Sequence, residues 1–280
     1  MTTPRMGPDR EDVEWWIQFS LESVAKRQKI IEAGERDLAI YTGMYLSYMT
    51  LGRARYLHGV WFQSLSTRAA VKDARAAFQK AAECIEMSFR MAYDPTLPEY
   101  VGDQADWSCV METDGLDGFT SVLMASDFAL ARRFAPWPRP APDGKRMDEE
   151  VCNYVDALQA YLLNDPATAT QLLSRNLDKF KKRPSSKGFR LNYHTLSMAL
   201  LGIVEKNDVR FNGGLAAQLE FYERFETGVN SENEDTSQEF ICDDAVALAN
   251  LGLWAGLKLQ TKHRLLPTDL LINSYPPINR

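Results

Sequence analysis

Apolar residues recur along most of this chain at the three- and four-residue spacing of amphipathic helices. In the first half, this spacing predicts helices over residues 11–35, 37–64 and 69–92, then an ordered loop over 94–115 and a fourth helix from Gly118 to Phe134. No segment alternates apolar and polar residues between hairpin turns, as a strand would. The pattern therefore predicts an all-α protein of antiparallel helix hairpins, arranged as a helical-repeat-like fold or an irregular bundle.

The second half of the chain has a repetitive pattern. Asn164-Asp165 and Asn207-Asp208 lie 43 positions apart, and each pair is expected to form the turn of a helix hairpin. In the first of these turns Asp165 is the predicted N-cap of the next helix. With that spacing, Leu172 aligns with Leu215. The predicted helices cover residues 148–163, 167–181, 192–206, 210–227 and 240–260.

A proline-rich segment gives the best internal boundary. Residues 134–147 contain four prolines within seven positions. Proline removes a backbone donor and fixes φ, so no regular element is expected there. The 280 residues allow one large domain or two small ones. We therefore predict either a single all-helical domain over residues 1–280, or two halves, residues 1–133 and 148–280, joined by this segment.

Composition narrows the range of partners. The 38 acidic residues outnumber the 32 basic ones and give a formal net charge of -6. This excess argues against nucleic acid, because phosphate binding needs clustered Lys and Arg. The N-terminus lacks the apolar core of a secretion signal. The longest uncharged apolar stretch near it, Ala39–Gly52, has 14 residues, fewer than the roughly 20 of a membrane span. We therefore expect a cytoplasmic protein without a membrane partner.

The sequence carries no motif that would assign a cofactor, a metal or a catalytic centre. It lacks phosphate-binding loops, nucleophile elbows, and zinc-protease and calcium-loop signatures. Its four cysteines are far apart and have no histidine neighbour, so we expect reduced, partly buried thiols and no zinc site. The prediction is a protein that is not an enzyme and needs no cofactor.

One spacing leaves a catalytic alternative open. Arg53 and His58 have the Arg-x4-His spacing of all-helical HEPN-type ribonucleases. In that chemistry the His would act on a ribose 2′-hydroxyl and the Arg would stabilise phosphate charge. Ala54 stands where a polar residue usually follows the arginine. The plainer interpretation is an ordinary helix with a solvated Arg53 and with His58 at a packing edge.

Basic residues are concentrated near the middle of the second half. Seven of them occur between Arg175 and Arg190, with few aromatic residues among them. A nucleic-acid site would use aromatic stacking as well as charge. We therefore interpret this cluster as a helix C-terminus, where the helix dipole favours cations, followed by a solvated loop.

Acidic residues are segregated from basic ones. No Lys or Arg occurs between Arg90 and Arg132 or between Arg224 and Lys258, yet these two gaps hold 15 of the acids. Such segregation creates a negative potential that steers a cationic partner and speeds its capture. Neither gap has the ligand spacing of a calcium loop, so no metal is expected. The predicted partner-binding residues are Glu226, Glu232, Glu234, Asp235, Glu239, Asp243, Asp244, Asp103 and Asp106.

Two apolar stretches in the second half carry a family resemblance. The first is an Ala/Leu-rich helix from Leu191 to Gly202, followed by Asn207-Asp208 and a further helix. The second runs from Asp243 to Gly256 and closes with Leu-Leu-Pro-Thr-Asp-Leu-Leu at residues 265–271. Over residues 150–271, this pattern of helix ends and apolar positions resembles the immunity protein 49 family of bacterial polymorphic toxin systems.

The resemblance implies an all-α protein that is encoded beside a toxin gene and that binds and blocks the cognate toxin. It implies no catalytic residue and leaves the chemistry of the toxin open. Together with the acidic segregation, it predicts an immunity protein that occludes the active site of a toxin with a basic surface. Two alternatives stay open: a tetratricopeptide-like scaffold that binds peptide segments in a helical groove, and the HEPN-type ribonuclease.

Overall fold

A computed structural model describes residues 7–138, 146–228 and 231–273. In these residues the regular structure consists of helices, without a strand, which confirms the predicted all-α class. No helix within them is long and apolar enough to cross a membrane. The α-helices are α1 (Arg10–Glu32), α2 (Leu38–Trp61), α3 (Thr67–Tyr93), α4 (Glu112–Met124), α5 (Phe128–Phe134), α6 (Glu149–Leu162), α7 (Pro166–Lys182), α8 (Phe189–Val204), α9 (Asp208–Phe225) and α10 (Asp243–Trp254).

The chain divides into two compact units, one over Pro8–Met147 and one that begins at Asp148. In the first unit α2 packs against both α1 and α3, while α4 packs on α3 and α5 on α4. Gly52 allows the α2 backbone to approach the ring of Phe78 on α3, where a Cβ would overlap that ring. The three longest helices therefore form the antiparallel array that their short connections favour.

The first unit includes both described ends of the proline-rich segment. Phe134 and Ala135 at its start are buried. Near its end, the Arg146 guanidinium pairs with Glu112 at the start of α4, with Nε 2.7 Å from the carboxylate. Residues 139–145, which carry part of the predicted linker, lie outside the described residues.

The prediction of one helix from Gly118 to Phe134 is wrong, because two helices occupy this region. α4 begins earlier, at Glu112, inside the stretch that was predicted to be a loop. It ends before Ser126, whose φ of 59° lies in the left-handed region. Asp127 then starts α5, since its carboxylate accepts a hydrogen bond from Leu130 N at 2.9 Å. Local capping therefore overrides the continuous apolar pattern.

In the second unit, α6–α7 and α8–α9 form two helix hairpins, and α8 packs against α6, α7, α9 and α10. Each hairpin contains an equivalent buried polar pair. In the first, Asn153 Nδ2 donates to Asn176 Oδ1 at 3.0 Å. In the second, Thr195 Oγ1 donates to Gln218 Oε1. Both members of the second pair lie 42 positions after their counterparts, so the hairpins are true structural repeats.

The predicted repeat spacing of 43 is therefore wrong by one residue. The left-handed residue of each turn is Asn164 in the first hairpin and Lys206 in the second. The N-cap that follows is Asp165 and Asn207, respectively. The two Asn-Asp pairs thus occupy different places in their turns. With the spacing of 42, Leu215 matches Leu173 instead of Leu172, and both matched side chains are 0% exposed.

The last predicted helix, over residues 240–260, is shorter than expected. α10 ends at Trp254, and the chain then continues without regular structure in contact with α9. Asn212 on α9 holds this segment through its backbone: Nδ2 donates to Lys258 O at 2.8 Å, and Oδ1 accepts from Gln260 N at 2.6 Å. The Asp208 carboxylate accepts from Lys258 N at 2.9 Å. The segment after α10, here called the strap, is therefore held against the start of α9 by hydrogen bonds to its backbone.

Two glycines bring the backbones of α8 and α9 into contact. A Cβ at Gly202 would overlap the backbone nitrogen of Phe211, and a Cβ at Gly214 would overlap that of Ala199. Gly213, the neighbour of Gly214, has no such atom within 4 Å and is exposed. Gly214 is therefore required by packing, whereas Gly213 only weakens the helix.

We expect opposite effects from alanine at these adjacent glycines. Gly213→Ala should raise the free energy of unfolding by up to about 1 kcal/mol, since alanine loses less backbone freedom in a helix. Gly214→Ala should lower it by about 1–3 kcal/mol, because the α8 backbone must move away. Urea denaturation followed by circular dichroism measures both. Equal changes of the same sign would contradict the close approach.

Candidate partner-binding surface

The candidate surface is the connection between α9 and α10. Glu226 is the C-cap of α9, and Cys242 is the N-cap of α10. Asp243 and Asp244 occupy the first turn of α10. There the positive end of the helix dipole stabilises carboxylates. Helix geometry therefore places acidic groups at both ends of the connection.

The described part of the connection is tied to α9 by Tyr222. Its hydroxyl donates to Gln238 O at 3.0 Å and accepts from Asn233 Nδ2 at 3.3 Å. A short 3-10 helix, Ser237–Phe240, follows. Cys242 N donates to Leu265 O at 3.0 Å, which joins the connection to the C-terminal segment. These bonds give the surface a defined backbone instead of a freely solvated loop.

The structure corrects one of the predicted surface residues. Glu239 is only 2% exposed, because the 3-10 helix turns it inward next to the buried Phe240. Glu232 and Asp235 are exposed, and the remaining acids of this connection are half-buried. The name acidic face is used below for Glu226, Glu232, Glu234, Asp235, Asp243 and Asp244.

Several of these acids repel one another. Burial raises the pKa of Glu226, and the nearby Glu232 carboxylate raises it further. Burial also raises the pKa of the Cys242 thiol, with added contributions from Asp244, Asp243 and Glu226. Folding therefore brings together carboxylates from both ends of the connection. The resulting negative potential would favour a cationic partner.

The acids of the first unit are engaged in local structure. Asp106 caps a 3-10 turn, with Oδ1 accepting from Ser108 N at 3.0 Å and from Ser108 Oγ at 2.7 Å. Asp94 pairs with Arg90 at 3.0 Å. The side chain of Asp103 is not among those described. Asp106 is exposed, but a partner-binding role for Asp103 and Asp106 stays a prediction.

The surroundings of Arg53 and His58, the candidate ribonuclease pair, differ from those predicted from the sequence. Arg53 is buried, at 4% exposure, so the prediction of a solvated side chain is wrong. The Nδ1 atom of His58 lies 2.8 Å from Ser64 Oγ, and Nε2 lies 3.6 Å from Glu14. These contacts tie the imidazole to α1 and to the turn after α2. An acid–base histidine needs a ring nitrogen within reach of the substrate hydroxyl. In His58, both ring nitrogens instead lie near side chains of the protein itself.

The basic residues of α7 belong to a pocket that the sequence did not predict. Lys179, Phe180 and Arg183 from the end of α7 meet Arg190 and His194 from the start of α8, around Glu150 of α6. Sequence spacing gave no sign of this arrangement, because α6 and α8 also supply residues of the pocket. The name basic pocket is used below for these six residues.

The acidic face and the basic pocket lie at the same end of the second unit. The tight turns of both hairpins are at the other end, because antiparallel helices alternate in direction. The connection from α7 to α8 and the connection from α9 to α10 therefore share one end. Asp244 of the acidic face is close enough to Tyr154 on α6 to raise its pKa, although burial contributes more.

Among the side chains that the structure describes, no group of three or more His, Cys, Asp and Glu is arranged to hold a metal ion. Comparisons of the chain with protein-family models, with curated proteins and with solved structures found no match. The resemblance to the immunity protein 49 family therefore stays a prediction. The case for the candidate surface is made from the geometry of the acidic face alone.

The raised pKa of Glu226 leads to a pH-dependent stability. The folded protein binds this proton more tightly than the unfolded chain, so the free energy of unfolding should fall as pH rises above the ordinary value of 4.5. Glu226→Gln should remove this loss and be more stable than wild type at neutral pH, with the difference vanishing in acid. Urea denaturation across this pH range is the measurement. The control is Glu220→Gln on the exposed side of α9, and an equal effect there would contradict the assignment.

Proposed function

We propose that this protein is an immunity protein that binds a cognate bacterial toxin and occludes its active site. The observation that carries the proposal is the acidic face. It gathers six carboxylates on and next to the connection between α9 and α10. This connection lies in a stretch of sequence, between Arg224 and Lys258, that contains no Lys or Arg. Such a surface is complementary to a protein with clustered basic residues.

Binding would proceed through electrostatic capture followed by docking. The negative potential of the acidic face increases the encounter rate with a basic surface. Because hydrogen bonds to Tyr222 already order the described part of the connection, less conformational entropy is lost on docking. A toxin that acts on an anionic substrate has basic residues at its active site, and these would pair with the acidic face.

Two further observations support a binding role in a reducing compartment. The four cysteines are buried and free, which suits the cytoplasm, where thiols stay reduced. Arg53 is buried and both ring nitrogens of His58 have neighbours within the chain, which favours packing over catalysis for this pair. We therefore propose binding without a catalytic step and without a cofactor.

A peptide-binding scaffold is the second candidate function. It is favoured by the way Asn212 holds a non-helical backbone segment against α9 through hydrogen bonds to Lys258 and Gln260. Helical-repeat proteins use such side-chain contacts to bind extended segments. A scaffold would bind a short peptide as tightly as the folded protein that contains it, whereas an immunity protein requires the folded toxin.

The decisive experiment is co-expression with the product of the adjacent gene. We expect that this product kills bacteria when expressed alone and that this protein restores survival through a complex that can be purified. A harmless neighbour, or one that kills in both cases, would contradict the proposal. In that event, RNA cleavage by wild type and by His58→Ala would test the ribonuclease alternative.

Charge reversal of the exposed loop tests the docking surface itself. The triple variant Glu232→Lys, Glu234→Lys and Asp235→Lys should slow association with the toxin by about tenfold or more at low salt, because the steering potential is reversed. Stopped-flow or surface-binding kinetics measure the rate, and high salt should shrink the difference. The control triple Glu22→Lys, Glu32→Lys and Glu35→Lys changes net charge equally on exposed positions of the first unit. Equal rates for both triples would remove the loop from the mechanism.

A further inference from the structure

The basic pocket holds three cationic side chains close together. Lys179 Nζ lies 2.8 Å from a carboxylate oxygen of Glu150, and Arg190 Nε lies 3.4 Å from the other oxygen. Arg183 lines the rim. Lys179 also contacts Glu149, at 2.8 Å. The side chain of Glu150 is buried, so its charge fixes the positions of Lys179 and Arg190.

One wall of the pocket is aromatic. The rings of Phe180 and His194 are stacked, with centroids 3.8 Å apart and planes 11° from parallel. His194 Nδ1 is buried, and no described group forms a hydrogen bond with it. Burial, together with the nearby Lys181, lowers the pKa of His194. The imidazole ring therefore forms part of the pocket wall beside the cations.

The charge and size of the pocket indicate which chemical group it can bind. Three cations of its walls face the Glu150 carboxylate, and Lys179 is also paired with Glu149 outside the pocket. Lys181, Lys182 and Lys187 add positive charge along the same segment. Arginine side chains bind carboxylates through paired N–H donors. The enclosed space is no larger than a water molecule, so a guest group would meet the cations at the mouth of the pocket, and a nucleotide base could not enter.

We propose that the basic pocket binds the carboxylate of an Asp or Glu side chain on a protein partner. The inference rests on the proposed function to the extent that the partner is a protein. It adds a second chemical requirement to that partner: an acidic side chain must lie beside the basic surface that meets the acidic face. Two adjacent sites of opposite charge fix the orientation of a docked protein, which a single acidic surface cannot do.

The full-length protein itself can report on the pocket by NMR, because the chain has only three histidines. The probe is an acetylated and amidated pentaglutamate peptide, titrated while the imidazole signals are recorded. We expect saturable shifts of the His194 signals, with those of His58 and His263 unchanged. Inorganic phosphate and an oligothymidylate of similar charge serve as competing anions.

Two arginine variants test whether the peptide binds at the basic pocket. Arg183→Glu should weaken peptide binding about tenfold or more, because a charge-assisted contact at the rim becomes repulsive. Arg175→Glu changes the charge equally on an exposed position of α7 outside the pocket, and it should change the affinity less than threefold. The proposal is overturned by the absence of a saturable shift, by equal effects of the two variants, or by oligothymidylate or phosphate binding as tightly as the peptide.

The result of the peptide titration can be distinguished from the result of the co-expression experiment that tests the proposed function. Failure of the co-expression experiment would remove the toxin as partner but leave the peptide titration intact. If the toxin complex forms, Arg183→Glu should speed its dissociation at least about fivefold, whereas the loop triple acts on association. Unchanged dissociation with Arg183→Glu would show that the pocket is not used in that complex.

Discussion

The backbone contact between α8 and α9 determines the arrangement of the second unit. It requires glycine at positions 202 and 214, since a side chain at either would overlap the facing helix. α8 also packs on α6, α7 and α10, so its position relative to α9 sets the place of every other helix in the unit. The start of α8 supplies Arg190 and His194 of the basic pocket, and the end of α9 begins the acidic face. Close helix packing is therefore what brings the two charged sites to one end.

The register of each hairpin is fixed by buried polar pairs. Asn153 with Asn176, and Thr195 with Gln218, satisfy their hydrogen bonds in one alignment of the paired helices. A shift by one turn would leave these groups buried without partners, which costs more free energy than displacing an apolar contact. Apolar packing thus supplies most of the stabilisation, and the polar pairs specify how the helices align.

Charge is used in two different ways at this end of the unit. Around Glu150, ion pairs between helices hold cations near a narrow pocket and give them fixed positions. On the acidic face, burial raises the pKa of Glu226, and the like charge of the nearby Glu232 raises it further. Mutual repulsion of this kind reduces folding stability unless a cationic partner relieves it. In the proposed complex, the basic surface of the toxin would neutralise this repulsion, and the destabilisation of the free protein would be regained as binding free energy.

The sequence by itself determined the all-α class, most helix positions, the N-cap at Asp165 and the segregation of acidic from basic residues. These features depend on neighbouring residues, so spacing and capping preferences report them directly. Only the tertiary structure decided the burial of Glu239, the strap that Asn212 holds against α9, and the pocket around His194. Each of these depends on residues distant in sequence. Periodicity along the chain carries no information about which distant side chain will lie opposite, because that is settled by how the helices pack.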